Sequence, residues 1–521
     1  MLPSQTAKPN VGGSVPRRKL LHATRWVTLA ALLVAGLVIR FECLVSKPFW
    51  FDECFSVEMA RIDWHNFLRL LWWREANMSL YYVLLKAWLH FGQSQFFIRS
   101  LSVVFAAAMV PAIYWVARTL YNAQVGLIAA ALFTSNAYSV RYAQEARSYS
   151  LFLLLATLSS GFLVAWLREP TRANWLGYVV ASALAVYAHF YALLLVAAHW
   201  LALGGGKALG AQNQPELRTR ELRRAWITIG AAVLPLLIFV AKTGAGPIKW
   251  IQRPGVRDIF NLFQNLAGST NWPLLALLAC ACVAAIVPYA GGLRTRPQSW
   301  GAWRSQFLLV WLLFPVAFTV VLSFARPVFL ARYMIFCMPP LLILAAAGIA
   351  RLELWWMRVL VLSGALVLSA QGIWFVYGHD FDDQRDASGV ASDFILEHSA
   401  PGDGIIFHIA ETRIPYEFFR SLRAGRNPAS PEFNGPPGPT ILFPQHGAGL
   451  DYRDFTGKPT EEFLREAARS HTRLWVMLMH NGSADKPDST TATLSRVLPE
   501  SLPKIESWQF AKVEVRLYSK P

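Results

Sequence analysis

Long apolar stretches recur through most of the chain and constrain its fold more than any other feature. Between about residues 25 and 376, successive stretches of roughly 17 to 22 residues are long enough to cross a bilayer. Of the 521 residues, 55% are hydrophobic and only 16% are charged, which is too apolar for an ordinary soluble domain. The sequence therefore predicts a mainly α-helical, polytopic membrane protein with about eleven spans.

The net charge of +17 comes largely from arginines and lysines in short loops that alternate with the apolar stretches. This alternation is the signal of membrane topology and not of a nucleic-acid surface, so no nucleic-acid partner is predicted. Arg17, Arg18 and Lys19 precede the first stretch and place an N-terminal tail, 1–24, in the cytoplasm. With an odd number of spans, the residues after about Tyr377 lie outside.

The rest of the chain divides into two regions that differ in composition and pattern. The predicted transmembrane domain, 25–376, contains an unusually long first outer loop, 42–97, whose mixture of aromatic and charged residues predicts amphipathic helices along the membrane interface. The polar segment 377–521 alternates helical and strand patterns and predicts a small extracytoplasmic α/β domain. Its predicted elements are helices at 387–398 and 461–469, strands at 404–409 and 474–479, and a loop at 434–439.

Asp52 and Glu53 are adjacent carboxylates directly after the first apolar stretch, on the predicted outer side. Charges at the membrane boundary are costly and usually functional, which favours a catalytic role. Both residues could instead cap the N-terminus of an interfacial helix, a position that Asp favours. Close by in sequence, Cys43 and Cys54 are either a disulfide pair or free thiols.

Several other polar segments reach the same predicted face of the membrane. They are 138–149, 187–191, 242–271 and 326–333. Nucleotide sugars are absent outside the membrane, so a glycosyl transfer there needs a sugar on a lipid phosphate. It also needs a carboxylate as base and cations for the departing phosphate. Asp52 or Glu53 could supply the base, and Arg147, Lys249 or Arg332 the positive charge.

Four segments, taken in order along the chain, carry a family resemblance. They are Phe49-Trp-Phe-Asp-Glu-Cys-Phe-Ser56, Gln144-Glu-Ala-Arg-Ser-Tyr149, Tyr187-Ala-His-Phe-Tyr191, and Ala331-Arg-Tyr-Met334 followed by Pro339-Pro340. These segments resemble the GT-C fold membrane glycosyltransferases, and more narrowly the bacterial protein-mannosyltransferase-like group, glycosyltransferase family 39, over most of residues 25–376. The C-terminal region resembles that group's extracytoplasmic domain more loosely, at 386–394 and 401–403.

The resemblance implies an enzyme of the cell (inner) membrane that transfers a hexosyl or pentosyl group from a polyprenyl-phosphate sugar. The acceptor would be a protein, a lipid or a cell-surface polysaccharide, and membrane lipids would surround the enzyme. Asp52 occupies the position of the catalytic base with Glu53 beside it, and Arg332 lies where a lipid phosphate binds. The full set of expected substrate-binding residues is Tyr142, Gln144, Glu145, Arg147, Tyr149, His189, Lys249, Arg332 and Tyr333.

Alternatives stand beside several of these assignments. Glu145 and Arg147 could form a structural ion pair, and His189 could be a hydrogen-bonded packing residue. The residue types permit a divalent metal, but no cofactor is assigned because no short spacing joins Asp52, Glu53 and His189.

Two other functions fit a polytopic basic chain. A transporter or flippase for lipid-linked sugars would place its polar site near the membrane midplane, often with internal repeats. No repeat is evident here, and the charges gather at one face. A non-catalytic sugar-binding scaffold would not depend on Asp52.

The predicted topology can be tested by cysteine accessibility. With the five native cysteines replaced, a probe introduced at Ser470 should react from outside intact cells, because the arginine-rich loops place the chain after Tyr377 outside. A probe that reacts only after the cytoplasm is opened would show that the span count is wrong by an odd number.

Overall fold

The computed structural model describes residues 15–204, 215–243, 251–268, 272–290, 300–378, 386–423, 438–444, 450–479, 482–483 and 486–521. Lys249 lies outside these ranges. The α-helices in the described ranges are Val15–Phe41 (α1), Phe51–Arg61 (α2), Trp64–Trp73 (α3), Ser79–Trp88 (α4), Gln95–Leu120 (α5), Ala123–Thr134 (α6), Ala137–Ala143 (α7), Tyr149–Arg168 (α8), Arg172–Ala188 (α9), Ala192–Ala202 (α10), Pro215–Thr243 (α11), Val256–Ala267 (α12), Trp272–Ile286 (α13), Trp300–Ala325 (α14), Met338–Arg351 (α15), Trp355–Gly378 (α16), Ser388–His398 (α17), Arg413–Arg423 (α18), Glu461–Ser470 (α19) and Ser489–Val497 (α20).

Eight helical segments among the described residues are long and apolar enough to cross a membrane. They confirm the predicted polytopic helical fold. The number of eleven spans stays a prediction, since α6 and α10 are apolar but short. The eight segments are Ala23–Phe41, Gln95–Leu120, Tyr149–Arg168, Thr219–Lys242, Trp272–Tyr289, Trp300–Ala325, Ala331–Arg351 and Trp355–Gly378.

The spanning helices divide into an inner and an outer group. Most residues of α5, α8 and the segment Ala331–Arg351 are buried, whereas most residues of α1, α11, α13 and α16 are not. Exposed positions of the second group carry large apolar side chains such as Ile227, Val283 and Leu360. Such apolar surfaces are suited to contact with the hydrocarbon of a bilayer. A helix can lie there because its backbone hydrogen bonds are satisfied internally. Because their residues are mostly buried, the inner helices are shielded from lipid, and their ends can carry polar groups.

The loop between α1 and α5 folds into α2, α3 and α4, as the aromatic and charged residues of that loop predict. Asp63 caps α3 by accepting hydrogen bonds from the backbone N–H groups of His65 and Asn66. α3 buries Phe67 and leaves Trp73 exposed, which is the arrangement of an amphipathic helix at a membrane interface.

The C-terminal region contains a five-stranded sheet, which confirms the predicted α/β architecture. The strands in the described part are Gly404–Phe407 (β1), Thr440–Phe443 (β2), Arg473–Met479 (β3), Gly482–Ser483 (β4), Lys486–Pro487 (β5), Lys504–Phe510 (β6) and Val513–Ser519 (β7). The order is β2-β1-β3-β7-β6, with β1 parallel to β2 and β3 and with β7 antiparallel to β3 and β6. Predicted elements at 387–398, 404–409, 461–469 and 474–479 correspond to α17, β1, α19 and β3. Most of the predicted loop 434–439 lies outside the described residues.

The C-terminal region packs directly on α2 through α18. Phe418 of α18 stacks on Phe49, with ring centroids 5.1 Å apart. Phe455 meets Phe55 of α2 edge to face at 5.0 Å. These aromatic contacts place the sheet domain on the side of the helical bundle where α2 begins, beside the two sequence-predicted carboxylates.

Candidate active site at the start of α2

Asp52 and Glu53 both lie in the first turn of α2, where unpaired backbone N–H groups favour negative charge. Neither is the N-cap, which is Trp50 and makes no side-chain capping bond. The capping interpretation is therefore not needed to explain the two acids. They point in different directions, since Glu53 is fully buried while Asp52 keeps 21% of its side chain exposed.

Glu53 is held in a two-pronged ion pair with Arg99 of α5. Arg99 Nε donates to Oε1 at 2.8 Å and Nη2 to Oε2 at 2.7 Å. The backbone N–H of Ala146 also donates to Oε1, at 2.9 Å. Arg99 in turn donates to the carbonyls of Leu44 and Lys47. Glu53 thus connects α2, α5, the end of α1 and the loop 144–148, and its oxygens are committed to these bonds.

Asp52 faces two arginines without bonding tightly to either. Its Oδ2 lies 3.5 Å from Arg147 Nη2 and 3.9 Å from Arg332 Nη1, longer than a charge-assisted hydrogen bond. Among the described residues, this buried oxygen has no hydrogen-bond partner. Arg147 is fixed by donating to the Asp52 carbonyl and to Ser56 Oγ. An acidic oxygen is thereby left free to accept a proton from another molecule.

Arg147 and Arg332 come from segments far apart in sequence. Arg147 lies in the loop between α7 and α8, and Arg332 in the 3-10 helix Ala331–Cys337 that leads into α15. Arg332 also lies over the Trp50 ring, 5.9 Å from its centroid. The nearby Asp52 charge raises the pKa of Arg147 above its usual value, although burial acts against this. Two permanent positive charges therefore flank one carboxylate.

Glu75, in the loop between α3 and α4, is a second acid near Asp52 that the sequence analysis missed. Burial raises its pKa to about 7, and the Asp52 charge acts in the same direction, while Arg74 and Arg147 lower it. Tyr82 of α4 also contacts the Arg147 side chain. No spacing in the sequence marks either residue, because α3 and α4 reach the site only through tertiary packing.

His189 lies between α9 and α10, buried beside the two arginines. Burial lowers its pKa to about 3, and Arg147 and Arg332 contribute, so the ring is neutral at pH 7. Nδ1 accepts a hydrogen bond from the Tyr191 backbone N–H at 3.2 Å, which places the proton on Nε2. Among the described residues, Nε2 has no partner. His189 packs flat on Phe152, 5.0 Å away, yet it also offers a donor to a ligand.

Three of the expected tyrosines surround the arginines. Tyr149 lies near both Arg147 and Arg332, and its hydroxyl makes no hydrogen bond within the described chain. Tyr142 packs edge to face on Tyr149, with centroids 4.8 Å apart. The Tyr333 ring lies 4.6 Å from His189. Aromatic surfaces of this kind, together with the unbonded Tyr149 hydroxyl, are suited to sugar rings.

A cavity of about 570 Å³ opens beside Arg332 between α7, α12 and the turn that precedes α15. This size is typical of a small-molecule site. Asp258, Asn261 and Asn265 line it from one face of α12, as their spacing along a helix allows. Positive charge is in excess, because the charged and amide residues of its wall are Arg141, Gln252, Arg253, Asp258, Asn261, Asn265 and Arg332.

Two of the expected binding residues, Gln144 and Glu145, contact other parts of the chain. Gln144 Nε2 donates to the carbonyls of Arg40 and Glu42 and so ties the end of α1 to the loop 144–148. Glu145 lies 3.8 Å from Arg141 Nε, while Arg147 turns toward Asp52. Cys43 and Cys54 are free thiols.

A divalent metal fits this donor set poorly. No group of three or more His, Cys, Asp or Glu side chains comes together in the part of the chain that the structure describes. Of the three residues of ligand type, Glu53 is occupied by Arg99, and Asp52 and His189 both lie beside arginines. Positive charge at this site comes from guanidinium groups.

Solved structures share the fold. The chain superposes on ArnT from Cupriavidus metallidurans, in the apo state and bound to undecaprenyl phosphate, with a TM-score of 0.58 and 12% identity over 95% of this chain and 98% of ArnT. The Archaeoglobus fulgidus oligosaccharyltransferase in complex with Zn and sulfate gives a TM-score of 0.50 and 11% identity, over 92% of this chain and 73% of that one. No family model matches the chain, and no curated protein sequence does. The predicted GT-C fold of membrane glycosyltransferases is confirmed, and the narrower assignment to family 39 stays a prediction.

Replacing Glu53 by Gln should lower the thermal stability of the detergent-purified protein. The variant leaves Arg99 buried without its counter-charge, and breaking one partner of a buried pair costs about 3–5 kcal/mol. Glu461→Gln, which removes an exposed carboxylate paired with Arg465 and Arg496, is the matched control and should change stability little. Equal melting temperatures for the two variants would show that the Glu53–Arg99 pair does not hold α2 in place.

Proposed function

We propose that this protein transfers a sugar from a polyprenyl-phosphate carrier to an acceptor at the extracytoplasmic face of the membrane. The observation that carries the proposal is the Asp52 carboxylate, which has a buried oxygen without a hydrogen-bond partner among the described residues and lies between Arg147 and Arg332. Displacement of a phosphate by a hydroxyl requires a base and nearby cations, and both arginines lie within 4 Å of the Asp52 oxygen.

Asp52 acts as the general base. As the acceptor oxygen attacks the anomeric carbon, its proton passes to Asp52 Oδ2. The bond between that carbon and the phosphate oxygen breaks, and its electron pair leaves with the polyprenyl phosphate. Glu53 positions Asp52 instead of sharing its role, because both Glu53 oxygens are bonded to Arg99.

Arg332 and Arg147 stabilise the charge that grows on the leaving phosphate. Arg332 borders both the Asp52 oxygen and the polar cavity, so a carrier headgroup in the cavity would place its phosphate beside the base. The surplus of arginine over aspartate in the cavity wall matches an anionic headgroup. His189 Nε2 and the Tyr149 hydroxyl are free to bond the sugar hydroxyls.

Structures of the same fold support the carrier assignment. ArnT was crystallised with undecaprenyl phosphate, a polyprenyl phosphate of the class proposed here. The sugar transferred is proposed to be a hexose or a pentose, the acceptor a protein, lipid or polysaccharide, and the location the cell (inner) membrane. Incubating the purified protein with a panel of radiolabelled polyprenyl-phosphate sugars and candidate acceptors tests the activity. A flippase would move the lipid between leaflets and leave the sugar–phosphate bond intact.

Asp52→Asn should abolish transfer while donor binding is kept. The amide preserves the shape of the side chain but cannot accept the proton, and loss of a general base costs on the order of 100-fold to 10,000-fold in rate. Turnover and donor affinity would be measured together in detergent.

Asp63→Asn is the control for this variant, because Asp63 lies in the same segment and only caps α3. It should keep wild-type turnover. Full activity in Asp52→Asn together with a Glu53→Gln variant that is folded and binds donor but is inactive would move the base to Glu53. Activity in both variants would eliminate the mechanism.

Arg332→Ala should weaken donor binding and slow transfer together, because the phosphate gains charge in the transition state. Arg332→Lys should restore part of each, since lysine keeps the charge but lacks the planar fork. Isothermal titration calorimetry with the polyprenyl phosphate measures donor binding, and initial rates measure transfer.

Arg326→Ala is the matched control, an exposed arginine at the end of α14 in the same turn, and it should behave as wild type. If Arg332→Ala keeps donor affinity and turnover but melts at lower temperature, Arg332 only anchors the segment. Arg147 then becomes the candidate for the phosphate.

A further inference from the structure

The N-terminus of α2 donates a hydrogen bond to a distant part of the chain. Trp50, which precedes the helix, provides no side-chain cap. Instead, Asp386 Oδ2 accepts a hydrogen bond from the Phe51 backbone N–H at 2.9 Å. The first N–H groups of a helix have no partner within the helix itself, so this bond satisfies a donor that would otherwise lack one. Phe51 directly precedes Asp52.

Asp386 is itself firmly attached to the C-terminal domain. Its other oxygen, Oδ1, accepts a hydrogen bond from the Ser388 N–H at the start of α17. The next residue, Ala387, donates its N–H to the carbonyl of Ala511 in the turn between β6 and β7. Asp386 is 8% exposed. Burial raises its pKa, and the nearby Asp52 charge acts in the same direction. The carboxylate therefore lies in a fixed position close to the proposed base.

We infer that Asp386 is a positioning residue for Asp52, through which the C-terminal domain holds the first turn of α2 in its working place. The inference rests on the proposed function, since it assigns Asp386 to the geometry of that reaction. A small displacement of a catalytic group can cost a large factor in rate. Asp386 would act through the backbone of Phe51, because its two oxygens accept hydrogen bonds from the Phe51 and Ser388 N–H groups.

A second contact supports this role of the domain. Glu411, just before α18, forms an ion pair with Arg74, the neighbour of Glu75. Phe418 stacks on Phe49 immediately before the helix. The C-terminal domain thus contacts both α2 and the loop that brings Glu75 to the site. A domain that served only to bind an acceptor would not need a bond to the backbone of the catalytic helix.

Hydrogen exchange of the Phe51 amide measures the strength of the Phe51–Asp386 hydrogen bond independently of activity. In full-length protein in detergent, Asp386→Ala should make that amide exchange about 10-fold faster, which is the range expected for loss of a helix cap. The same variant should lower kcat by about 10-fold with donor affinity within about 2-fold of wild type, because the carrier's proposed contacts lie elsewhere.

Asp488→Ala is the matched control. Asp488 caps α20 in the same domain and also lies 3.4 Å from His408 Nε2. Its removal therefore costs the domain at least as much as the loss of one cap, and none of these bonds involves α2. It should leave the Phe51 amide and kcat unchanged. If Asp488→Ala lowers kcat as much as Asp386→Ala, the effect is one of domain stability and the inference fails.

Substitutions at Phe51 isolate the hydrogen bond. Both Phe51→Ala and Phe51→Pro lose the ring, but only proline loses the N–H and sets a ring carbon toward the Asp386 carboxylate. Proline is tolerated at the first helical position, and Trp50 already has the extended backbone it requires, with φ −113° and ψ 174°. Asp386→Ala should lower kcat in the Phe51→Ala background and leave it unchanged or raise it in the Phe51→Pro background.

An equal loss of kcat in the two backgrounds would overturn the inference, as would a Phe51 amide that exchanges at the same rate in Asp386→Ala and wild type. Failure of the proposed function looks different. In that case Asp52→Asn retains wild-type transfer, or the wild type transfers no sugar from any donor, while the exchange of the Phe51 amide still responds to Asp386→Ala.

Discussion

The buried ion pair between Glu53 and Arg99 is the interaction on which the site depends. Two charges are removed from water, and they are retained because each is saturated with hydrogen bonds: Arg99 by the carboxylate and by the Leu44 and Lys47 carbonyls, Glu53 by Arg99 and the Ala146 N–H. Such a pair adds little net stability over apolar packing, but it enforces one geometry, because losing either partner leaves a costly unpaired charge. The geometry it enforces joins α2, α5 and the loop before α8.

The neighbouring acid has the opposite environment. Asp52 keeps an oxygen without a close partner among the described residues, although Arg147 and Arg332 approach within 4 Å. One carboxylate of the adjacent pair is thus committed to buried bonds, and the other keeps the unbonded oxygen that the proposed base requires. The C-terminal domain adds a second constraint, through Asp386 and the aromatic contacts of Phe418 and Phe455. The start of α2 is therefore held by the bundle and by the sheet domain together.

The sequence was informative where composition or local order carries the signal. Apolar stretches identified the helical membrane bundle, and the order of four short motifs indicated the GT-C fold. It was less informative about individual roles. Gln144 and Glu145 lie in a recognised motif, yet Gln144 fastens α1 and Glu145 faces Arg141. Glu75 was not predicted as a site residue, because nothing around it in sequence distinguishes it from other loop acids. Asp386 begins the recognised segment 386–394, yet nothing local indicates that its carboxylate reaches α2.

The sequence by itself determined the class of fold, since the length and spacing of apolar stretches are set by the bilayer, and it located Asp52 next to the membrane boundary. Only the tertiary structure decided which acid is available. Asp52 and Glu53 are adjacent in one helical turn and project in different directions, so one meets Arg99 from α5 and the other meets arginines separated from it by 95 and 280 positions. A local sequence pattern cannot show that difference between Asp52 and Glu53. It depends on the distant side chains that helix packing brings to each side of α2.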